Sequence, residues 1–358
     1  MKNGTGVDPG TNPGTSARRH VRARSIGTRV MLAAATVSVA VSGLAGCTSG
    51  GSSGQPGSAG TAPPKPAAIP AATASDAPGT TPSPTAASHI PVLGGGRPGS
   101  GPSIATPSYV DAPATGPELA WSPLGTGSEI ARGGPGFAVR FDPGRVRFAL
   151  HAGSQVPGGA GWPGGSAAPT RGLVAGWNGG FLLANGASWG GFYLGGKTVF
   201  GPLKAGAASE VFYSDGTMDV LAWPGGEPAP DVTGVRQNLA LLVDGGKPAA
   251  DLNGGTAADE HTWGFTNDDS NEHGNRSGVG VTADGKVVYA AVKGASPSQV
   301  AEFLLKAGTV RAMQLDINMS RPIFGTYSGH WSQPVPWLGA ATQFTGGDAR
   351  DFVAVYAR

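Results

Sequence analysis

The sequence predicts an α+β fold, in which one sheet-dominated domain with hairpins and few helices follows a disordered tether. The chain has 62 glycines and 31 prolines in 358 residues, and only 13% of its residues are charged, so a coiled coil or long helical bundle is not expected. Short apolar runs around Asp-Gly and Gly-Gly pairs recur after residue 190, as hairpins require. All eight Trp and all twelve Phe lie at or beyond Trp121, so the core is expected there.

Charge and cysteine content exclude several function classes. The formal net charge is +2, but six Lys or Arg residues and one Asp precede residue 30, so the rest of the chain is net negative. Nucleic-acid binding is therefore not expected. The single cysteine excludes an intrachain disulfide framework and a zinc site built on cysteine pairs.

The N-terminus is typical of an exported lipoprotein. Residues 30–46 are uncharged and follow the arginine cluster, as in a signal peptide. The sequence Leu44-Ala45-Gly46-Cys47 resembles the bacterial lipobox, which implies cleavage of residues 1–46 and diacylation of Cys47. Two acyl chains give stable membrane anchoring, so we expect an extracytoplasmic, membrane-anchored protein. An ordinary signal peptide with an uninvolved cysteine is the alternative, and export through a twin-arginine route at Arg18-Arg19 stays open.

A tether is expected over residues 47–117, and the domain over residues 118–358. The tether consists mainly of Gly, Ser, Ala, Thr and Pro. Such a segment cannot bury enough apolar area to offset its chain entropy, so it is predicted to be disordered.

Three hairpins and one helix can be placed within the domain. The hairpins turn at Gly195-Gly196, Asp215-Gly216 and Asp284-Gly285. The helix follows Ser296-Pro297-Ser298-Gln299, which offers an N-cap, a proline at the first helical position and a capping-box Gln, and it stops at Gly308. A strand then runs from Val310 and ends at Asp316. Further strands are predicted at 137–141, 145–150, 173–177, 238–243 and 351–356.

Three of these stretches together resemble the phosphodiester glycosidase family, which includes the domain of the enzyme that uncovers mannose 6-phosphate. They are the Asn-Gly-Gly-Phe element within 175–181, the Arg-bearing strand and turn at 276–285, and the Leu-Asp strand at 313–316. The family usually continues with three glycines and a serine, whereas this chain has Ile317-Asn318-Met319-Ser320. In this it resembles a bacterial subgroup with Leu-Asp-Ile-Asn and a terminal strand at 350–353.

The resemblance implies hydrolysis of a sugar-1-phosphodiester linkage in a surface or cell-wall glycan. It implies that Asp316 acts as acid/base or nucleophile, because carboxylates stabilise an oxocarbenium-like sugar and deliver water. Arg276 would clamp the phosphodiester, since a guanidinium meets two phosphate oxygens at once. Asn178 would bind a sugar hydroxyl. A strand-end turn for Asp316, an ion pair for Arg276 and a turn role for Asn178 are the structural alternatives.

Four further residues are candidates for substrate binding. Gly179 and Gly180 accompany Asn178, Asn318 takes over a family glycine position, and Trp263 could stack on a sugar ring. Conformational roles for the glycines and for Asn318, and core packing for Trp263, are the alternatives.

No cofactor is expected, although residues 259–273 are rich in potential cation ligands. Carboxylates suit Ca²⁺ and Mg²⁺, and histidine suits Zn²⁺, but the strip follows no known ligand spacing. A polar loop beside the site is the simpler interpretation. The possible ligands of a divalent cation are Asp259, His261, Asp268 and Asp269.

Two other functions stay open beside the glycosidase. A non-catalytic glycan-binding or envelope-structural lipoprotein would explain the altered loop after Asp316. A metal-dependent hydrolase would use the strip from Asp259 to His273.

Overall fold

The computed structural model describes residues 102–112, 118–153, 167–183, 190–252, 263, 273–317, 320–346 and 350–358. Within these residues the chain forms eighteen strands and two helices, which confirms the predicted sheet-dominated α+β fold. The signal peptide and Cys47 lie outside the described residues. No helix of the described part is long and apolar enough to cross a membrane.

The strands are short, as expected for a glycine-rich chain with frequent turns. In chain order they are β1 (Ser122–Gly125), β2 (Ser128–Gly133), β3 (Gly136–Phe141), β4 (Val146–His151), β5 (Leu173–Asn178), β6 (Phe192–Leu194), β7 (Lys197–Phe200), β8 (Ala208–Tyr213), β9 (Met218–Ala222), β10 (Val232–Gln237), β11 (Leu241–Asp244), β12 (Lys247–Pro248), β13 (Gly274–Thr282), β14 (Val287–Ala295), β15 (Thr309–Ile317), β16 (Phe324–Tyr327), β17 (Trp331–Ser332) and β18 (Phe352–Ala357).

These strands form three sheets. The large sheet has the order β1-β2-β3-β14-β13-β15-β11-β12, the second sheet β7-β6-β10-β8-β9, and the third sheet β17-β16-β5-β18-β4. Neighbouring strands in all three sheets are antiparallel. The three predicted hairpins are confirmed as β6–β7, β8–β9 and β13–β14.

The longer helix, α1 (Pro297–Lys306), carries the chain between two parallel strands. Ser296 caps it as predicted, because its hydroxyl accepts the Gln299 N–H while the Gln299 side chain accepts the Ser296 N–H. Strands β14 and β15 both pair antiparallel with β13, which lies between them. They therefore run parallel to each other, and α1 forms a split crossover above the large sheet. A short helix, α2 (Gln343–Gly346), precedes β18.

The main core contains aromatic side chains from the large and third sheets. Phe141 of β3 packs against Trp177 of β5, with ring centroids 5.6 Å apart, and Phe137 of β3 contacts Phe324 of β16 at 5.7 Å. All four side chains are buried. Aromatic pairs of this kind stabilise a core beyond the area they bury, so they hold the large sheet against the third.

Several predicted strand boundaries differ from the observed ones by one to three residues. The strand expected from Asn238 begins at Leu241, because Leu239 has a φ of 62°, which interrupts an extended backbone. The strand expected to end at Asp316 continues to Ile317.

The described residues 102–112 contact the domain, although their composition predicts a disordered tether. The Ile104 N–H donates to the Ala205 carbonyl at 3.0 Å, and the Tyr109 hydroxyl donates to the Leu241 carbonyl at 3.1 Å. Ile104 and Tyr109 also pack against the hydrophobic core. Composition did not predict these contacts, because they depend on two isolated side chains within a segment that is otherwise of low complexity.

Candidate active site

The site residues lie where strands of the three sheets meet. The Asn178-Gly179-Gly180-Phe181 segment leaves β5 of the third sheet and passes the ends of β10 and β15. The Gly179 carbonyl accepts the Asp316 N–H at 3.1 Å, which joins the third sheet to the large sheet. The Phe181 N–H donates to the Asn238 side chain at 3.2 Å, just after β10 of the second sheet. Residues distant in sequence are thereby brought together.

A β-bulge in β15 determines where Asp316 stands. In the β13–β15 pair, Gly278 lies opposite Gln314 and Arg276 lies opposite Ile317. Two steps along β13 thus match three steps along β15, so β15 contains one extra residue at Leu315–Asp316. The Ser277 hydroxyl donates to the Asp316 carbonyl at 2.9 Å and secures this irregular backbone.

The Asp316 carboxylate is buried and paired with a cation. One oxygen accepts from Arg350 Nη2 at 2.7 Å, and the other accepts the neighbouring Ile317 N–H at 2.9 Å. Burial raises the pKa of Asp316 to about 6, since desolvation disfavours the charged form and outweighs the stabilising charges of Arg350 and Arg321. The charge of Asp351 raises that pKa further. A carboxyl group with such a pKa exchanges protons near neutral pH, as a general acid or base must.

Arg350 is a site residue that the sequence motifs did not predict. Besides its bond to Asp316, its Nη2 donates to the Gly180 carbonyl at 3.2 Å. Its side chain is 14% exposed, whereas Arg276 is fully buried. The Arg350-Asp351 pair at the start of the predicted terminal strand was the available signal, but a strand prediction says nothing about which site it reaches.

Asn178 is tied into the protein by both ends of its side-chain amide. Its nitrogen donates to the Ser277 hydroxyl at 3.0 Å, and its oxygen accepts the Ile323 N–H at 2.9 Å and the Tyr289 hydroxyl at 3.2 Å. The residue is 5% exposed. Asn178 is thus linked to Asp316 through Ser277, and its internal bonds hold the end of β5.

Arg276 lies on the strand beside Asp316 and is bonded within the large sheet. Its Nε donates to the Ala295 carbonyl at 2.7 Å, and its Nη1 donates to Gln314 Oε1 at 2.9 Å. Gln314 in turn donates to the main-chain oxygen of Trp263 at 3.0 Å. The Trp263 side chain is fully buried in the hydrophobic core, so the structure places its ring in packing contacts.

Gly179 and Gly180 lie against a buried ion pair between Arg236 and Asp351. Arg236 Nε donates to Asp351 Oδ2 at 2.7 Å. A Cβ atom at Gly179 would stand 1.9 Å from that oxygen, and one at Gly180 would stand 3.0 Å from Arg236 Cζ. Both positions therefore require glycine for reasons of space. Arg236 and Asp351 were not candidates from the sequence.

Several predicted site residues cannot be placed. Asn318 and the possible cation ligands Asp259, His261, Asp268 and Asp269 lie outside the described residues. In the part of the chain that the structure describes, no group of three or more His, Cys, Asp or Glu side chains could hold a metal ion.

Comparison with solved structures finds distant similarity. The catalytic domain of zebrafish N-acetylglucosamine-1-phosphodiester alpha-N-acetylglucosaminidase, auto-inhibited by its pro-peptide, is 17% identical, with a TM-score of 0.43 over 70% of this chain and 87% of that one. A hypothetical protein from Synechocystis is 14% identical, with a TM-score of 0.34 over 67% of this chain and 61% of that one. A putative exported protein from Burkholderia pseudomallei is 13% identical, with a TM-score of 0.27 over 67% and 76%.

Comparison with protein-family models finds a match in the central part of the domain. No curated protein sequence matches the chain. The phosphodiester glycosidase family model matches residues 171–316. This range begins just before β5 and ends at Asp316, so it contains Asn178, Arg236 and Arg276, while Arg350 follows it. The resemblance that the motifs indicate is thus confirmed, and residues 171–316 match the phosphodiester glycosidase family.

Proposed function

We propose that the protein hydrolyses a sugar-1-phosphodiester and that Asp316 is its catalytic carboxylate. The observation that carries this proposal is the buried Asp316 carboxyl, paired with Arg350 and with its pKa raised to about 6, within a segment that matches the phosphodiester glycosidase family. A glycosyl phosphodiester already has a good leaving group, so the main task is to stabilise the oxocarbenium-like sugar and to deliver water or a nucleophile. A carboxylate performs both tasks.

Asp316 works in its ionised form in this proposal. Asp316 takes a proton from the water that attacks the anomeric carbon, or it attacks that carbon itself and water then hydrolyses the glycosyl ester. In both cases the bond between the anomeric carbon and the phosphate oxygen breaks and a phosphate monoester leaves. Arg350 binds the phosphodiester anion, because its guanidinium is adjacent to Asp316 and partly exposed. Arg350 lowers the pKa of Asp316, so sharing its charge with bound substrate makes the carboxylate more basic.

Arg276 and Asn178 support the site in different ways. The buried Arg276 guanidinium adds positive potential on the strand next to Asp316. Asn178 positions the end of β5 through its bonds to Ser277, Tyr289 and Ile323. Its hydrogen bonds favour this role over direct contact with a sugar hydroxyl.

The substrate is a surface or cell-wall glycan, and the protein works outside the cytoplasm on a lipid anchor at Cys47. The support is the signal peptide pattern of residues 1–46 and the lipobox-like sequence before Cys47. A fatty-acid label incorporated by the native chain and lost in Cys47→Ser would support the anchor. Export of an unlabelled native chain would contradict it.

Asp316→Asn tests the catalytic assignment. With N-acetylglucosamine-1-phosphate methyl ester and related sugar-1-phosphodiesters as substrates, we expect the variant to lose at least about 1,000-fold of the rate of sugar release. Circular dichroism should remain native. Asp219→Asn is the matched control, because Asp219 also pairs with an arginine, Arg311 at 2.6 Å, in a different part of the fold.

Unchanged turnover in Asp316→Asn would remove Asp316 from the mechanism. Tight binding of a glycan by the native protein without turnover of any phosphodiester would instead favour the glycan-binding alternative.

A further inference from the structure

We propose that Arg236 and Asp351 are positioning residues, which hold the Gly179-Gly180 backbone so that Asp316 and Arg350 stand together. This inference rests on the proposed function, since it assigns the buried ion pair to the same site. Neither residue contacts substrate in the proposal.

Each of the three guanidinium nitrogens of Arg236 donates a hydrogen bond. Nε donates to Asp351 Oδ2 at 2.7 Å, Nη2 donates to the Phe181 carbonyl at 2.6 Å, and Nη1 donates to the Gln237 carbonyl. The side chain is fully buried. A planar guanidinium bonded through all three nitrogens fixes the groups around it relative to one another, so it joins β10 to the start of β18 and to the segment after β5.

Asp351 packs closely against Gly179 because Gly179 has no side chain. Its carbonyl accepts the Gly179 N–H at 3.0 Å, while its carboxylate stands where a Cβ of residue 179 would be. The Gly179 backbone is therefore held by one residue through both a hydrogen bond and a close packing contact. The Arg236 guanidinium packs against Gly180, where an added Cβ would stand 3.0 Å from Arg236 Cζ.

The carbonyls of Gly179 and Gly180 both accept hydrogen bonds from site residues. The Gly179 carbonyl accepts the Asp316 N–H at 3.1 Å. The Gly180 carbonyl accepts from Arg350 at 3.2 Å. The ion pair therefore positions Asp316 and Arg350 indirectly, through the peptide groups of Gly179 and Gly180.

Glu210 lies near Arg236 but does not replace Asp351 as its ion-pair partner. Glu210 lies opposite Arg236 in the β8–β10 pair and is fully buried. Its carboxyl accepts from the Trp177 indole at 3.3 Å. Burial raises the pKa of Glu210 to about 8, so it is mostly neutral at pH 7 and does not compete with Asp351 for the guanidinium.

Asp351→Asn is the decisive variant, since it keeps the shape and removes the charge. Misplacing a catalytic group by about 1 Å costs about 100-fold in rate, so we expect kcat to fall at least about tenfold while KM changes less than about twofold. The charged groups that face Asp316 are Arg350, Arg321 and Asp351. Loss of the Asp351 charge should lower the pKa of Asp316, which carboxyl carbon NMR measures without any substrate. The Asp316 signal is identified by its loss in Asp316→Asn.

Arg236→Lys covers the case in which Asp351→Asn does not fold. It keeps the positive charge but cannot bond Asp351, Phe181 and Gln237 together, so the Asp316 amide should exchange its hydrogen faster. Asp219→Asn should leave the titration, the exchange rate and kcat unchanged.

The proposal is overturned if Asp316 titrates and exchanges as in the native protein in both variants. The NMR and exchange measurements need no activity. A native protein that turns over no phosphodiester therefore disproves the function while these two measurements still decide the positioning role.

Discussion

Gly179 shows at the scale of one residue why the Asn-Gly-Gly-Phe element has its composition. Its neighbour is the carboxylate of Asp351, just before the adjoining strand β18 of the same sheet, which leaves no room for a side chain. Glycine is often interpreted as a means of close approach to a ligand, but here the close approach is to an ion pair inside the protein.

Gly179→Ala should therefore destabilise the fold. The added Cβ would stand 1.9 Å from Asp351 Oδ2, so either the ion pair or the backbone must shift. We expect a loss of about 2 kcal/mol or more in the free energy of unfolding, measured by urea denaturation. Gly125→Ala is the control, because the nearest atom to its added Cβ is 3.7 Å away. Equal effects at both positions would contradict the packing argument.

The pH dependence of activity should reveal the protonation state of Asp316. Its pKa is raised to about 6, and the proposed mechanism needs the ionised form. We expect kcat/KM, which reports the free enzyme, to be constant well above pH 6 and to fall about tenfold for each pH unit below it. An activity that increases as the pH falls through 6 would instead assign Asp316 as a general acid.

At the scale of single elements, β8 carries an acid within the core. Glu210 lies opposite Arg236 of the neighbouring strand β10, and its Oε2 has no hydrogen-bond partner among the described residues. Burying a carboxylate is costly, so the fold favours the protonated form. This is why the pKa of Glu210 is raised from 4.5 to about 8.

Glu210→Gln should change how stability depends on pH. A raised pKa in the folded state gives stability that is complete below about pH 4.5 and is lost as the pH rises through about 8. The native protein should therefore lose a few kcal/mol, in order of magnitude, between those pH values, and Glu210→Gln should lose less. Thermal unfolding at pH 5 and pH 8 measures the difference. Glu302→Gln on the surface of α1 is the control, and a parallel pH dependence in native and Glu210→Gln proteins would contradict this assignment.

At the scale of the molecule, the segment 102–112 extends the fold beyond the domain boundary predicted at residue 118. It bonds to Ala205 before β8 and pairs with Ala249 after β12, and so it contacts parts of two sheets. Tyr109 contributes both a ring packed on the core and a hydrogen bond to Leu241.

Tyr109→Ala should therefore lower stability without changing the site. We expect a loss of about 2–4 kcal/mol, because a partly buried aromatic ring and one hydrogen bond are removed together. Thermal unfolding compares it with Val110→Ala, whose side chain is 45% exposed and should have little effect. A chain that begins at residue 118 should be destabilised at least as much as Tyr109→Ala, and equal stability of that chain with the native one would contradict the role of the segment.

The local elements were predictable because their signals are local. Asp-Gly and Gly-Gly pairs predicted the hairpins, and Ser296 with Gln299 predicted the start of α1. The site was predictable only in part. Asp316 and Asn178 follow from motif order, but Arg350 and Arg236 are arginines whose surroundings in sequence do not show which strands they meet.

The sequence by itself determined the sheet-dominated fold, the hairpin turns, the capped helix and the match to the phosphodiester glycosidase family. Only the tertiary structure decided that β15 bulges at Asp316, that Arg350 pairs with it, and that the two glycines rest on Arg236 and Asp351. The reason is that turns and caps depend on neighbouring residues. Strand register and buried ion pairs depend on residues far apart in the chain, 34 positions for Asp316 and Arg350 and 115 positions for Arg236 and Asp351, which meet only when the three sheets pack together.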